Sequence, residues 1–115
     1  MYEKKLPENY ECGISIANRV LGGKWNAWLL DCIRRGVRRP TEIHKQMSEA
    51  NPRVLNMALR ELTTLKILSK VIYHEQPLRV EYFLTDLGQS TLPLIDAMDK
   101  WGSDHREEIL SVALN

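Results

Sequence analysis

The feature that most constrains the fold of this chain is a change in the spacing of its apolar residues after position 68. Before that point, apolar residues recur every three or four positions, which is the spacing of one helix face. The two runs that follow, residues 71–73 and 80–84, are rich in β-branched and aromatic side chains and predict two strands. Pro77 lies between them and indicates a turn. The helical spacing then returns, so the sequence predicts helices, a hairpin and a further helical region.

Four helices are predicted before the hairpin. Their apolar spacing places them at residues 14–21, 24–35, 40–47 and about 51–66. The start of the fourth is the most clearly marked, because the Asn51 side chain can cap a helix and Pro52 suits its first position. After the hairpin, Thr85 and Asp86 predict the start of a last helical region, which Pro93 should kink or interrupt.

Length and composition fit one domain of mainly α class. A chain of 115 residues has an ordinary domain size, in which the polar residues 1–11 predict an N-terminal arm and residues 12–115 the folded domain. No apolar run approaches the ~20 residues of a membrane span, and residues 1–8 contain no apolar signal core. Two cysteines do not form a disulfide framework. We therefore expect a cytoplasmic protein with no membrane segment.

The net charge of +1 hides an uneven distribution. Residues 34–79 contain ten cations and four anions, so this segment carries +6 and the remainder of the chain −5. A basic segment is typical of nucleic-acid binding, but it also occurs as ordinary solvated surface. The placement of the cations on the predicted elements has to decide between these interpretations.

The predicted helix over residues 51–66 has two different faces. Its leucines lie on one side and predict packing against a core. The opposite side carries Arg53, Asn56, Met57, Arg60, Thr63 and Thr64. A short helix before it and a hairpin after it give the order of a winged helix-turn-helix, in which such a helix enters the major groove. Arginine pairs there with guanine and asparagine with adenine. The alternative is an ordinary solvated helix surface.

This placement predicts double-stranded DNA as the partner. Arg38 and Arg39 precede the short helix, where they can hold phosphates. The wing, about residues 70–84, carries Arg79 at its tip, and a narrow minor groove attracts arginine. The predicted DNA-binding residues are Arg38, Arg39, Arg53, Asn56, Met57, Arg60, Thr64 and Arg79.

A second apolar stripe predicts self-association. Leu87, Ile95, Met98 and Trp101 recur at helical spacing after the hairpin and exceed what the short wing can cover. We expect them to pack across a two-fold axis in a homodimer, with two symmetric recognition helices.

Several motifs of this chain, taken in order, resemble those of a known family. They are Cys12, residues 20–25 (Val-Leu-Gly-Gly-Lys-Trp), residues 39–43 (Arg-Pro-Thr-Glu-Ile), residues 59–62 (Leu-Arg-Glu-Leu), residues 80–88 (Val-Glu-Tyr-Phe-Leu-Thr-Asp-Leu-Gly) and Trp101-Gly102. Together they are similar to the HxlR family of winged-helix transcription regulators, related in architecture to MarR proteins. The resemblance implies a homodimer, held by the N-terminal arm and the terminal helices and including Ile14, on a pseudopalindromic operator. The chain departs from the family at Gly13 and Pro40, where members commonly have proline and phenylalanine.

The resemblance also implies a role for Cys12, because a cysteine at this position senses electrophiles or oxidants in several members. Cys12 lies at a predicted helix N-terminus, where the helix dipole favours the thiolate. The alternative is a small residue that fills a dimer contact. Cys32 lies on the apolar stripe of its helix and is predicted to be inert core.

Other kinds of site have weaker support. Trp25, Trp28 and Trp101 either form an aromatic ligand box or anchor the core and the dimer. The three histidines lack metal-ligand spacing, and no phosphate loop or catalytic triad motif is present. We expect no metal, no cofactor and no enzymatic activity, and the effector is not identified. The alternatives left open are a winged helix that docks protein and a small enzyme with a cofactor between subunits.

Overall fold

The computed structural model describes residues 12–113, so the predicted arm over residues 1–11 lies outside it. Within the described range the chain forms helices on both sides of one antiparallel hairpin. The helices before the hairpin are α1 (Gly13–Leu21), α2 (Asn26–Arg34), α3 (Pro40–Gln46) and α4 (Pro52–Thr64). The strands are β1 (Leu68–Tyr73) and β2 (Arg79–Leu84), followed by α5 (Asp86–Gln89), α6 (Leu92–Asp104) and α7 (Arg106–Ala113). The predicted winged helix-turn-helix order is confirmed.

The core lies where α2, α3, α4 and the base of the hairpin meet. It consists of apolar side chains, among them Leu29, Leu30, Ile33, Ile43, Met47, Leu55, Leu59, Leu62, Ile67 and Leu68. Cys32 is buried among them, as its stripe predicts. Val54 in the first turn of α4 is exposed, whereas its neighbour Leu55 is fully buried.

The turn between α3 and α4 is short and is held by hydrogen bonds. The Ala50 amide donates to the Met47 carbonyl at 3.0 Å, and Asn51 caps α4 by accepting from the Arg53 amide at 2.7 Å. At its other end α4 stops at Thr64, two residues before the predicted boundary, because Lys66 takes a left-handed conformation with φ of 65°. These two ends fix the length and direction of α4.

The wing is longer than the sequence predicts, because β1 begins at Leu68. Its register runs from the pair Leu68 and Leu84 to the pair Tyr73 and Arg79. The Tyr82 amide donates to the Arg38 carbonyl at 3.0 Å, which joins the wing to the segment before α3. The wing is therefore held beside the helix-turn-helix at its base.

The last helical region is divided into three helices. Pro93 is the second residue of α6, where the missing amide hydrogen costs little, so it starts a helix after the predicted interruption. Ile95, predicted to line a dimer surface, packs instead into the core of its own chain at 5% exposure. Ile95 lies on the side of α6 that contacts α2, whereas Met98 and Trp101 on the same helix are exposed.

An ion-pair network joins α6 to α2. The Arg34 guanidinium lies 2.8 Å from an Asp96 carboxylate oxygen and also binds Asp31 on its own helix. The Asp96 pKa is lowered by the hydrogen bond from Arg34. No helix within the described residues is long and apolar enough to cross a membrane.

Candidate nucleic-acid interface

The outer face of α4 is polar, cationic and exposed. Arg53, Asn56, Met57, Arg60 and Thr64 are all exposed, whereas Leu55, Leu59 and Leu62 on the other side are buried. Met57 keeps 59% of its surface exposed although it is a large apolar residue. The predicted two-faced character of this helix is therefore confirmed, with a buried leucine face and an exposed outer face.

A polar cleft of about 340 Å³ separates α4 from the wing. It is lined by Asn56, Arg60, Thr63, Thr64, Lys70 and Tyr82. Neither Arg60 nor Lys70 forms an ion pair with another residue of the described range. Burial raises the pKa of the Tyr82 hydroxyl, and the nearby positive charge of Arg60 opposes that effect in part. Two unpaired cations in a water-accessible cleft make an anion-binding surface.

Lys70 was missed by the sequence reasoning, although a signal for it exists. Side chains alternate along a strand, and Lys70 lies directly opposite Tyr82 in the hairpin register. A cation on the helix-facing side of the first wing strand could have been identified from that alternation.

His44 was also missed, because it was considered only as a metal ligand. It lies on α3, and its Nε2 atom is 3.2 Å from Oδ1 of Asn56 on α4. The two helices of the helix-turn-helix are therefore joined by a side-chain hydrogen bond at the exposed face as well as by their buried contacts.

The two arginines that precede α3 are engaged with the wing. Arg39 Nε lies 3.7 Å from a Glu81 carboxylate oxygen, and its side chain is about half exposed. The Arg38 guanidinium lies 4.9 Å from the centroid of the Phe83 ring, and its Nε atom is buried with no hydrogen-bond partner among residues 12–113. Arg39 is open to an approaching phosphate, whereas Arg38 is partly covered.

Arg79 lies at the end of the wing, but its guanidinium is already bound by other side chains of the chain. It is the first residue of β2, and its guanidinium lies 2.9 Å from carboxylate oxygens of both Glu75 and Glu81. It also lies 3.8 Å from the centroid of the Tyr73 ring. The hydrogen bond from Arg79 lowers the pKa of Glu75. The contact of Arg79 with a minor groove stays a prediction, but within the described residues its guanidinium is already paired with two carboxylates.

A separate apolar surface covers the terminal helices. Its exposed residues are Ile14 and Ile16 on α1, Leu87 on α5, Leu94, Met98 and Trp101 on α6, and Ile109, Leu110 and Val112 on α7. We call this set the terminal apolar surface.

The Trp101 ring stacks on the His105 ring, with 4.5 Å between their centroids. Trp25 and Trp28 form another pair, with 5.6 Å between their ring centroids. The three tryptophans thus belong to two separate pairs of rings.

Cys12 is the N-cap residue of α1 and is partly exposed. Its Sγ atom lies 3.4 Å from Ser15 Oγ, and this hydrogen bond is the main cause of a lowered Cys12 pKa. Burial raises the pKa of Cys32. The two thiols therefore differ in the direction that the sequence predicts.

The chain matches the model of the HxlR-like helix-turn-helix family over residues 20–110. An HTH-type transcriptional regulator of Methanothermobacter thermautotrophicus is 36% identical over 95 residues, which cover 83% of this chain and 72% of the relative. The regulator YybR of Bacillus subtilis is 32% identical over 117 aligned positions, covering 100% of this chain and 94% of that one.

Solved structures agree with these relatives. The redox regulator HypR in its reduced form superposes with a TM-score of 0.81 and is 31% identical, covering 87% of this chain and 99% of that one. A MarR-family regulator of Porphyromonas gingivalis W83 gives a TM-score of 0.76 at 32% identity, covering 88% and 97%. The family match spans the whole helix-turn-helix and the wing, and the chain belongs to the HxlR-like helix-turn-helix family of transcriptional regulators.

Proposed function

We propose that this chain is a homodimeric regulator that binds a specific DNA sequence, with α4 in the major groove and the wing beside the adjacent backbone. The observation that carries the proposal is the outer face of α4, which presents exposed arginine and asparagine side chains on a helix anchored by buried leucines. An α-helix fits the major groove, where these side chains recognise base edges. Arg60 and Lys70 supply the positive charge that a phosphate backbone requires.

The proposal assigns different roles to the predicted DNA-binding residues. Arg53, Asn56, Met57, Arg60 and Thr64 face the bases or their immediate backbone, since they share the outer face of α4. Arg39 is the better placed of the two arginines before α3 for a phosphate contact. Arg79 would stabilise the structure of the wing and would add little positive charge for DNA, because it is paired with Glu75 and Glu81.

The direct test is to recover the DNA that the protein retains from fragmented genomic DNA and to measure affinity for that site at several salt concentrations. Each phosphate neutralised by the protein contributes a slope of about −0.9 to the plot of log affinity against log salt for duplex DNA. We expect a steep slope and a recurring sequence. A winged helix that docks protein would instead retain DNA of no common sequence, and a modest rise in salt concentration would release that DNA.

The dimer part of the proposal rests on the terminal apolar surface. Monomeric proteins rarely expose large apolar patches, and the resemblance described above implies a homodimer on a pseudopalindromic operator. Two copies related by a two-fold axis would present their α4 helices to half-sites one helical turn, about 10 base pairs, or a multiple of it, apart.

We further propose that Cys12 is a reactive thiol through which oxidants or electrophiles act. Its neighbourhood supports this, because the Ser15 hydroxyl stabilises the thiolate and a helix N-terminus favours negative charge. The redox regulator HypR, solved in reduced and oxidised forms, is a structural neighbour at 31% and 32% identity.

The Ser15→Ala variant tests the origin of this reactivity. We expect iodoacetamide to alkylate Cys12 faster than Cys32 in the wild-type protein, and the Cys12 rate to fall in Ser15→Ala as its pKa rises. The difference in Cys12 alkylation rate between the wild-type protein and Ser15→Ala should be largest at neutral pH. It should shrink above the pKa of the free thiol, because Cys12 is then a thiolate in both proteins. Mass spectrometry of each peptide gives both rates. Equal rates for the two cysteines would reject the assignment, and Cys32 serves as the internal control.

A further inference from the structure

We propose that His44 is a positioning residue for base recognition, because it holds the Asn56 side-chain amide in one orientation and thereby restricts the base pairs that Asn56 accepts. The inference deepens the proposed function of α4 and rests on it. The chemistry involved is hydrogen bonding between one imidazole, one amide and the edge of one base pair in duplex DNA.

The structure places the amide oxygen, not the amide nitrogen, against the imidazole. His44 Nε2 and Asn56 Oδ1 are 3.2 Å apart, and because an amide oxygen only accepts, this arrangement uses the histidine form that carries a proton on Nε2. His44 is half-buried beside α4, whereas Asn56 is exposed in the polar cleft that Arg60 also lines. The imidazole therefore holds the amide oxygen from α3. The amide nitrogen has no hydrogen-bond partner within residues 12–113.

The backbone beneath this contact is rigid. Ile43, which precedes His44, and Met47 are fully buried against the core. The Ala50 amide bonds to the Met47 carbonyl, and Asn51 caps α4. Neither helix can slide or rotate without breaking these contacts, so the distance between His44 and Asn56 is set by the packing of the helix-turn-helix.

The consequence concerns the order of donor and acceptor that Asn56 presents. An amide oxygen has two acceptor positions, so one can bind His44 while the other forms a two-point edge with an amide N–H. An unanchored amide can rotate by half a turn and present the reverse order. Each base pair displays its own order of donors and acceptors in the major groove. Anchoring by His44 therefore narrows the set of base pairs that Asn56 accepts.

The experiment selects binding sites from randomised DNA with the wild-type protein and with Asn56→Ala, His44→Ala and His44→Gln. Asn56→Ala identifies the base pair that Asn56 reads. At that base pair, we expect His44→Ala to lower the ratio of preferred to next-best base by about 5-fold or more, the lower range for a two-point contact, and to leave other positions unchanged. His44→Gln should restore the ratio, because the glutamine amide nitrogen can occupy the place of imidazole Nε2 and donate.

Lys45→Ala is the matched control, since Lys45 is the exposed neighbour of His44 on α3. Loss of a phosphate-type contact weakens binding evenly across sequences and does not change the preference at one base pair. Thermal unfolding of each variant checks that all are folded. The inference is overturned if His44→Ala keeps the wild-type preference at the Asn56 position, or if preference declines equally at every position. A wild-type protein that selects no sequence would reject the proposed function itself and the inference with it.

Discussion

Replacing Trp101 by glutamate is expected to convert the proposed dimer to a monomer and to weaken binding to a two-half-site operator by about 100-fold or more, the lower range for loss of a second linked contact. Trp101 is 57% exposed in the terminal apolar surface, close to Met98, Ile109 and Leu110. A carboxylate there would lose its hydration if the same surface of a second copy covered it, and burying an unpaired charge is strongly unfavourable.

Sedimentation equilibrium at micromolar concentration measures the first effect and fluorescence anisotropy with an operator duplex the second. Leu78→Glu is the control for the sedimentation measurement alone, because Leu78 is apolar and 63% exposed but lies in the hairpin loop, in the wing that the proposal places beside DNA. Leu78→Glu should remain dimeric. A wild-type protein that sediments as a monomer, or a Trp101→Glu variant that remains a dimer, would contradict the proposed assembly.

The second large effect separates the two faces of α4. Arg60→Ala should weaken operator binding by about 1–3 kcal/mol, which is the discrimination of one two-point base contact, and leave the free energy of unfolding nearly unchanged. Arg60 is exposed and has no ion-pair partner among the described residues, so its removal takes away little that stabilises the fold.

Leu59→Ala is the control on the opposite face, one position before Arg60. Leu59 is 1% exposed, so truncating it should lower the free energy of unfolding by about 2–5 kcal/mol through lost contacts and a new cavity. Urea denaturation and anisotropy, measured on both variants, give opposite patterns. If Arg60→Ala binds the operator with wild-type affinity, α4 does not use this face in the groove.

The element order and the recognition helix could be predicted because their signals are local. Asn51 and Pro52 mark the start of α4 through capping and proline geometry, which depend on neighbouring residues only. The leucine spacing identifies the buried face without knowledge of what covers it. Met57 and Arg60 were assigned to the exposed face because they lie opposite the leucines.

The contacts that the sequence analysis missed depend on how separate elements meet. The bond between His44 and Asn56 follows from the crossing of α3 and α4, which neither helix encodes alone. Ile95 was assigned to the exposed stripe, but it is buried on the side of α6 that contacts α2. Arg79 is a partial exception, since Glu81, two positions later on the same strand, lies on the same face and signals a charge pair.

The contacts of Arg79 with two carboxylates and a tyrosine ring restrict the conformational entropy of its side chain. Arg79 and Tyr73 form the last pair of the hairpin register, where strands would otherwise fray, and the guanidinium there is fixed by an aromatic ring and two carboxylates. An arginine side chain carries about 2 kcal/mol of rotamer entropy when free. In this chain much of that freedom is lost on folding, before any partner arrives. In the proposed contact of the wing with DNA, this side chain would add little further ordering cost.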